Sequence, residues 1–158
     1  MGNDPPLEMT LPSDRGIALN RIFTAPRPRV FAALTTPDRL KCWLGPPGWE
    51  LATCTLDLRV GGQYRYVWKN LETGGEMGMG GHFTELAQDV LFTTTERFDQ
   101  AWYPGEAIVT TRLADADGGT LLTVTIRYED QAARDMVLGS NMRAGLEASY
   151  ARLDDLLG

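Results

Sequence analysis

The chain has 158 residues, with 15 Lys and Arg against 21 Asp and Glu and a formal net charge of −6 at neutral pH. At this length roughly 68–70% of the unfolded surface is buried on folding, enough for one substantial core but not two, and the 43% hydrophobic content sets the chain apart from disordered sequence. The acidic balance and the lack of any Lys/Arg run weigh against nucleic acid or an anionic membrane surface, and no apolar run reaches the roughly 18 residues of a spanning helix.

Residues 1–15 carry Pro5, Pro6 and Pro12 with few apolar anchors, and are expected to form a flexible arm ahead of a single domain over 16–158. Ile17 to Thr24 alternates as a strand, with Ile17, Leu19, Arg21 and Phe23 on one face. Pro26 and Pro28 open a first helix whose stripe is Val30, Phe31 and Leu34. Thr36-Pro37-Asp38 supplies a cap, a first-turn proline and a charge suited to a second helix, which Gly45-Pro46-Pro47-Gly48 stops. The period then changes to two. Leu51–Leu58, Gln63–Lys69, Glu76–Leu86, Leu91–Phe98, Ala107–Leu113 and Leu121–Tyr128 read as a meander of six strands. Asp130 to Leu157 has no proline and carries an apolar stripe from Ala133 to Leu157 at helical spacing. As one helix, about 25 residues would span about 37 Å.

These elements predict an α+β fold. One face of an antiparallel sheet must be covered, and only the final helix is long enough to cover it. Gly78, Gly80 and Gly81 lie inside one strand, where glycine marks a bulge, a bend or a close approach. A sheet bent there would curl around the helix, and the space neither fills would be a cavity.

Trp43-Leu44-Gly45-Pro46-Pro47-Gly48, after a Thr-Pro-Asp-Arg-Leu helix start, is followed by Asp57-Leu58-Arg59-Val60-Gly61-Gly62-Gln63-Tyr64-Arg65-Tyr66 and then Gly81-His82-Phe83-Thr84-Glu85-Leu86. In that order the segments resemble bacterial proteins similar to the C-terminal domain of the activator of the heat-shock-protein-90 ATPase, within the START-like, Bet v 1-like superfamily. The resemblance covers the chain from about Gly16. It implies a helix-grip fold with a hydrophobic cavity. By that resemblance the chain's relatives are mostly small-molecule binders or uncharacterised, with some enzymes or resistance proteins among them, and the family name points to a chaperone cofactor. The matched segments mark fold, and no catalytic residue is inherited through them.

Tyr64, Tyr66 and Trp68 share one strand face, as a cavity wall for a ring-bearing ligand or as packing against the final helix. Met79 and Met142, together with Met77, suit an adaptable pocket or plain core filling. Trp43 is a lid over the cavity or a clamp on its loop. Glu96 shares its parity with Phe92 and Phe98, and Arg112 with Ile108. If those faces point inward, Glu96 and Arg112 pair across the cavity or hold a ligand's polar group; otherwise they are surface charges of little energy. Trp102 sits in a short loop, at the rim of a site or as a partner contact. His82, the one histidine, alternates with Met79 and Phe83 and should face away from them.

That single histidine and the separated Cys42 and Cys54 miss metal-ligand spacings, and the cysteines read as free thiols of a cytoplasmic protein. No phosphate-loop or dinucleotide-binding pattern appears, so no cofactor is expected. Three functions remain open: binding of a small hydrophobic or aromatic molecule, an enzyme of the same fold acting on a lipid-like or polyketide-like substrate, and a protein-interaction module related to chaperone ATPase activation. A homodimer is the default assembly.

Overall fold

Period-two alternation through the middle of the chain becomes, in the computed structural model, one eight-stranded antiparallel sheet; residues 7–100 and 102–158 are described. The elements run β1 (Glu8–Thr10), β2 (Gly16–Phe23), α1 (Arg27–Thr35), α2 (Pro37–Trp43), β3 (Trp49–Leu56), β4 (Gln63–Asn70), β5 (Glu76–Ala87), β6 (Leu91–Phe98), β7 (Ala107–Ala116), β8 (Gly119–Arg127), α3 (Gln131–Leu138) and α4 (Met142–Leu157). The sheet order is β1-β2-β8-β7-β6-β5-β4-β3. The six-strand meander is therefore present as β3 to β8. The first long strand, whose place the sequence leaves open, pairs with β8 from Gly16 opposite Arg127 to Phe23 opposite Thr120. Thr120 is buried and donates its hydroxyl to the Ala25 carbonyl at 2.7 Å, which fixes the chain as it leaves β2.

Within the arm expected to be flexible over 1–15, residues 7–10 lie against the sheet and residues 11–15 are exposed. Leu7 is buried, and Glu8–Thr10 pairs with Asn20, Leu19 and Ala18 of β2. The backbone groups on the outer edge of β2 need partners, and a short extended segment supplies them.

The sheet bends where its register shifts, between Leu51 and Thr53 in β3 and between Phe83 and Glu85 in β5. Gly81 lies beside the second shift. A Cβ there would sit 2.0 Å from the Thr95 carbonyl oxygen, so only glycine lets β5 and β6 approach so closely.

Thr36 joins the two short helices through its carbonyl, which accepts from Leu40 N at 2.9 Å; the expected side-chain cap is not made. The long C-terminal helix is interrupted. Asp130 caps α3 by accepting from Ala133 N at 2.8 Å, and α3 ends at Leu138. Gly139, Ser140 and Asn141 then form a break before α4. The Ser140 hydroxyl donates to the Val137 carbonyl at 2.6 Å and accepts from Met142 N at 3.2 Å, so it substitutes for the helical ladder at the break.

The second half of α4 is firmly seated. Tyr150, Leu153 and Leu157 are buried with Phe23, Val30 and Phe31, and α4 packs on α1 and α2. Phe23 meets Tyr150 edge-on with ring centroids 5.6 Å apart. Arg21, on the inward face of β2, is buried, lies over the Phe23 ring, and makes a two-pronged contact with the Asp154 carboxylate. The sheet, these helices and the N-terminal helix pair together form the helix-grip arrangement. None of the helices among the described residues is long and apolar enough to cross a membrane.

Candidate functional site

Alternation puts every second residue of β4 to β8 on the face turned toward α3 and α4, and the two helices leave a cavity of about 650 Å³ over that face. Strand β4 contributes Tyr64, Tyr66 and Trp68; β5 contributes Met77, Met79 and Phe83. Strand β6 adds Phe92, Thr94, Glu96 and Phe98. Val109 and Thr111 of β7, with Val124 and Ile126 of β8, continue the wall. Met142, Gly145 and Leu146 of α4 close it from above. The exposed members of the wall, Gln100 and Trp102 on the β6–β7 loop and Ser140 and Asn141 at the helix break, mark its mouth.

Several wall residues also hold the fold. Trp43 donates its indole N–H to the Ala33 carbonyl at 3.0 Å and stacks on Tyr150, which makes it a clamp with one surface on the cavity rather than a lid. Trp68 donates to the Leu44 carbonyl at 3.1 Å, and Tyr64 to the Thr95 carbonyl at 2.5 Å. The Gly45 backbone, at φ +136°, passes directly against the Trp68 indole. Its N–H donates to the Ser149 hydroxyl at 3.2 Å, and its carbonyl accepts from that hydroxyl at 2.9 Å and from Arg152. The Trp-Leu-Gly-Pro turn is thus fastened to β4 on one side and α4 on the other.

Glu96 is the one Asp, Glu, Lys or Arg on this wall among the described residues. One of its oxygens accepts from the Tyr103 hydroxyl at 2.8 Å, and the other has no hydrogen-bond partner among the described residues. No fully buried side-chain nitrogen or oxygen among them lacks a partner, so the free oxygen must keep accessible surface, and the cavity is the space it lines. The Tyr66 hydroxyl is likewise unpartnered among the described residues and belongs to the same wall. Burial pushes the Glu96 carboxyl above its ordinary value, and the Tyr103 hydrogen bond partly opposes this. The phenols of Tyr64, Tyr66, Tyr103 and Tyr128 are all pushed up, by burial first and by the nearby Glu96 charge as a further cause. Of these phenols Tyr103 alone bonds Glu96 among the described residues; Tyr64 donates its proton to the Thr95 carbonyl, and the Tyr66 hydroxyl can donate to or accept from a ligand.

Of the residues read from the sequence as ligand-binding, Trp43, Tyr64, Tyr66 and Trp68 lie on one cavity wall, as do Met79, Phe92, Glu96 and Met142. Arg112 does not. It is exposed, and its neighbours Thr111 and Leu113 are the buried ones, so the inward face of β7 is the odd-numbered one. The Glu96–Arg112 pair across the cavity, one of the alternatives the sequence left open, is not formed, and Glu96 pairs with Tyr103 instead. Tyr103 itself, in the loop before β7, is invisible to strand periodicity. Tyr128 was recoverable, since it continues the even-numbered face of Leu122, Val124 and Ile126.

His82 is exposed on the opposite face of β5 from Met79 and Phe83, its ring Nδ1 3.2 Å from the Thr95 hydroxyl. Cys42 is exposed and Cys54 buried, neither in a disulfide; burial pushes the Cys54 thiol up to about 11. Among the described residues no three His, Cys, Asp or Glu side chains gather where a metal could be held.

A family model described as Activator of Hsp90 ATPase homolog 1-like protein matches residues 24–158. A crystal structure of a Rhodobacter sphaeroides protein is 30% identical, covers 98% of each chain and superposes with a TM-score of 0.93. A Chromobacterium violaceum protein is also 30% identical, over 92% of this chain and 98% of that one, with a TM-score of 0.75. A Mycobacterium smegmatis protein at 22% identity, covering 97% of this chain and 98% of its own, shares the fold with a TM-score of 0.83. Among curated proteins no match is found.

Proposed function

The chain belongs to the Activator of Hsp90 ATPase homolog 1-like family, and from that premise we propose that it binds a small hydrophobic or aromatic molecule between the sheet and the α3–α4 pair. Family and fold support a general ligand-binding role. The observation that carries the finer reading is the cavity itself. Its volume of about 650 Å³ suits a drug-sized molecule, and its wall is mostly aromatic rings, aliphatic side chains and methionines with a few polar groups, Glu96 the charged one among the described residues. Methionines let such a wall adapt, while the rings offer faces for stacking.

A protein-docking reading would rest on Trp102, which is 38% exposed. Its ring packs edge-on against Phe98 and Tyr103 at 5.6 and 5.3 Å, however, and forms part of the cavity wall. The rim of a small-molecule site accounts for both its exposure and its contacts.

The test is native mass spectrometry of the purified protein, followed by solvent extraction of whatever co-purifies, and titration with flat apolar compounds followed by tryptophan fluorescence. A bound species of a few hundred daltons, or saturable quenching that Leu146→Trp abolishes, is the expected result. Apolar compounds that neither bind nor perturb the tryptophans would overturn the reading.

A further inference from the structure

We infer that the chamber is built for an organic cation, an ammonium group carried on an apolar body, with the charge set against Glu96 and the body against the aromatic wall. This rests on the chamber being a ligand site and names the class of ligand it takes.

The wall is asymmetric in charge. Among the described residues it presents one carboxyl and neither lysine nor arginine. Arg112, which sequence parity had aimed inward, is on the solvent face. An anionic ligand such as a fatty carboxylate would therefore meet Glu96 without a compensating cation, in surroundings where water cannot screen the repulsion. A cation meets the reverse. The Glu96 oxygen not bonded to Tyr103 is an open acceptor, and Tyr103 holds the carboxyl in place from behind.

The rings around that carboxyl complete the case. Tyr64 and Tyr66 lie 5.1 Å apart and Tyr66 and Trp68 5.9 Å, all tilted or edge-on, so successive ring faces turn in different directions. Phe98 and Tyr103 are 6.0 Å apart at 79°, and Tyr103 and Tyr128 5.1 Å apart at 88°. Mutually perpendicular rings beside a carboxylate offer a cation both π faces and a counter-charge. The net charge of −6 also favours the approach of cations to the protein as a whole. Burial disfavours the bare carboxylate, and a cation taken up in exchange for water beside it offsets that cost. The groups facing that exchange are the phenols of Tyr64 and Tyr66 on β4, Tyr103 on its loop and Tyr128 beyond β8, none of them cationic.

The experiment is calorimetric titration of the full chain with three probes of one apolar body: naphthylmethylamine, naphthylmethanol and naphthoate. The amine is expected to bind about tenfold more tightly than the alcohol, and naphthoate more weakly than either. In Glu96→Gln the amine-to-alcohol ratio should fall to about one. Equal binding of amine and alcohol to the wild type overturns the cation assignment while leaving the chamber as a ligand site, and so does a preference that persists in Glu96→Gln. If no probe binds, the ligand-site reading falls and this inference with it. Should Glu96→Gln fail to fold, the wild-type ratio decides alone, a ratio near one being the overturning result.

Discussion

The Tyr103 hydroxyl donates a 2.8 Å hydrogen bond to Glu96, tying a loop that strand periodicity does not describe to the one carboxyl on the cavity wall among the described residues. That bond lowers the Glu96 proton affinity against the upward push of burial. Removing it in Tyr103→Phe should move the carboxyl's titration midpoint further up, because the ionised form loses a hydrogen-bond donor. Carbon-detected NMR of the glutamate side chains across a pH series reads this directly. A midpoint unchanged from the wild type would mean that the bond is absent in solution.

The same carboxyl should make stability depend on pH. Burial holds its folded pKa above the ordinary carboxyl value, so the folded state binds the proton more tightly than the unfolded one. No penalty exists below the unfolded pKa. The penalty grows as pH rises from there and is complete above the folded pKa. Glu96→Gln removes it, so the Tm difference between variant and wild type should be more positive near pH 8 than near pH 4. A difference that is flat across this range, or that runs the other way, would contradict the burial assigned to Glu96.

At Gly45 backbone and packing constraints coincide. Its φ is +136°, and a Cβ would fall 2.7 Å from the Trp68 indole nitrogen. Gly45→Ala should cost about 2 kcal/mol or more, from the strained backbone and from displacement of Trp68 off the Leu44 carbonyl. Urea unfolding measures the loss. Gly48, also at positive φ but with open space around it, is the control, where Ala pays for the backbone alone.

The Arg21–Asp154 contact predicts a different signature. Arg21 is 5% exposed and Asp154 25%. Asp154→Ala strands a buried guanidinium and should destabilise the fold by about 2–3 kcal/mol, below the range for wholly buried pairs because Asp154 is partly hydrated. Replacing both partners, with Arg21→Met and Asp154→Leu, should recover most of that loss in chemical denaturation, since the cost lies in the unpaired charge. Equal destabilisation by the single and the double variant would instead assign the cost to lost packing.

Much of this molecule was legible where local chemistry repeats. Period two placed Tyr64, Tyr66 and Trp68 on one face and sent His82 to the other, and the parity of Phe92 and Phe98 brought Glu96 inward. Arg21 was placed with Ile17 and Phe23 for the same reason, and is buried there. Parity failed at Arg112 because it was referred to Ile108 alone, which is half-buried on the outer face, while Ala107, Val109 and Leu113 of the same strand carry the inward parity. The pairing of β2 with β8 joins residues about a hundred positions apart, and no local signal encodes it. The helix break depends on the Ser140 hydroxyl competing with the backbone, which composition permits but does not demand. Tyr103 reaches Glu96 from a loop, where neither helical nor strand spacing applies.

Helix α4 is built as a cantilever. Its far half is locked in by Tyr150, Leu153, Leu157 and the Arg21 contact, while Met142, Gly145 and Leu146 overhang open volume and begin at a hydrogen-bonded interruption. Met142 and Leu146 are only partly buried, whereas Tyr150, Leu153 and Leu157 are buried, and substitutions along the overhang can be made with the anchored half holding the scaffold. What the molecule accepts and whether it folds are thereby assigned to opposite ends of a single helix.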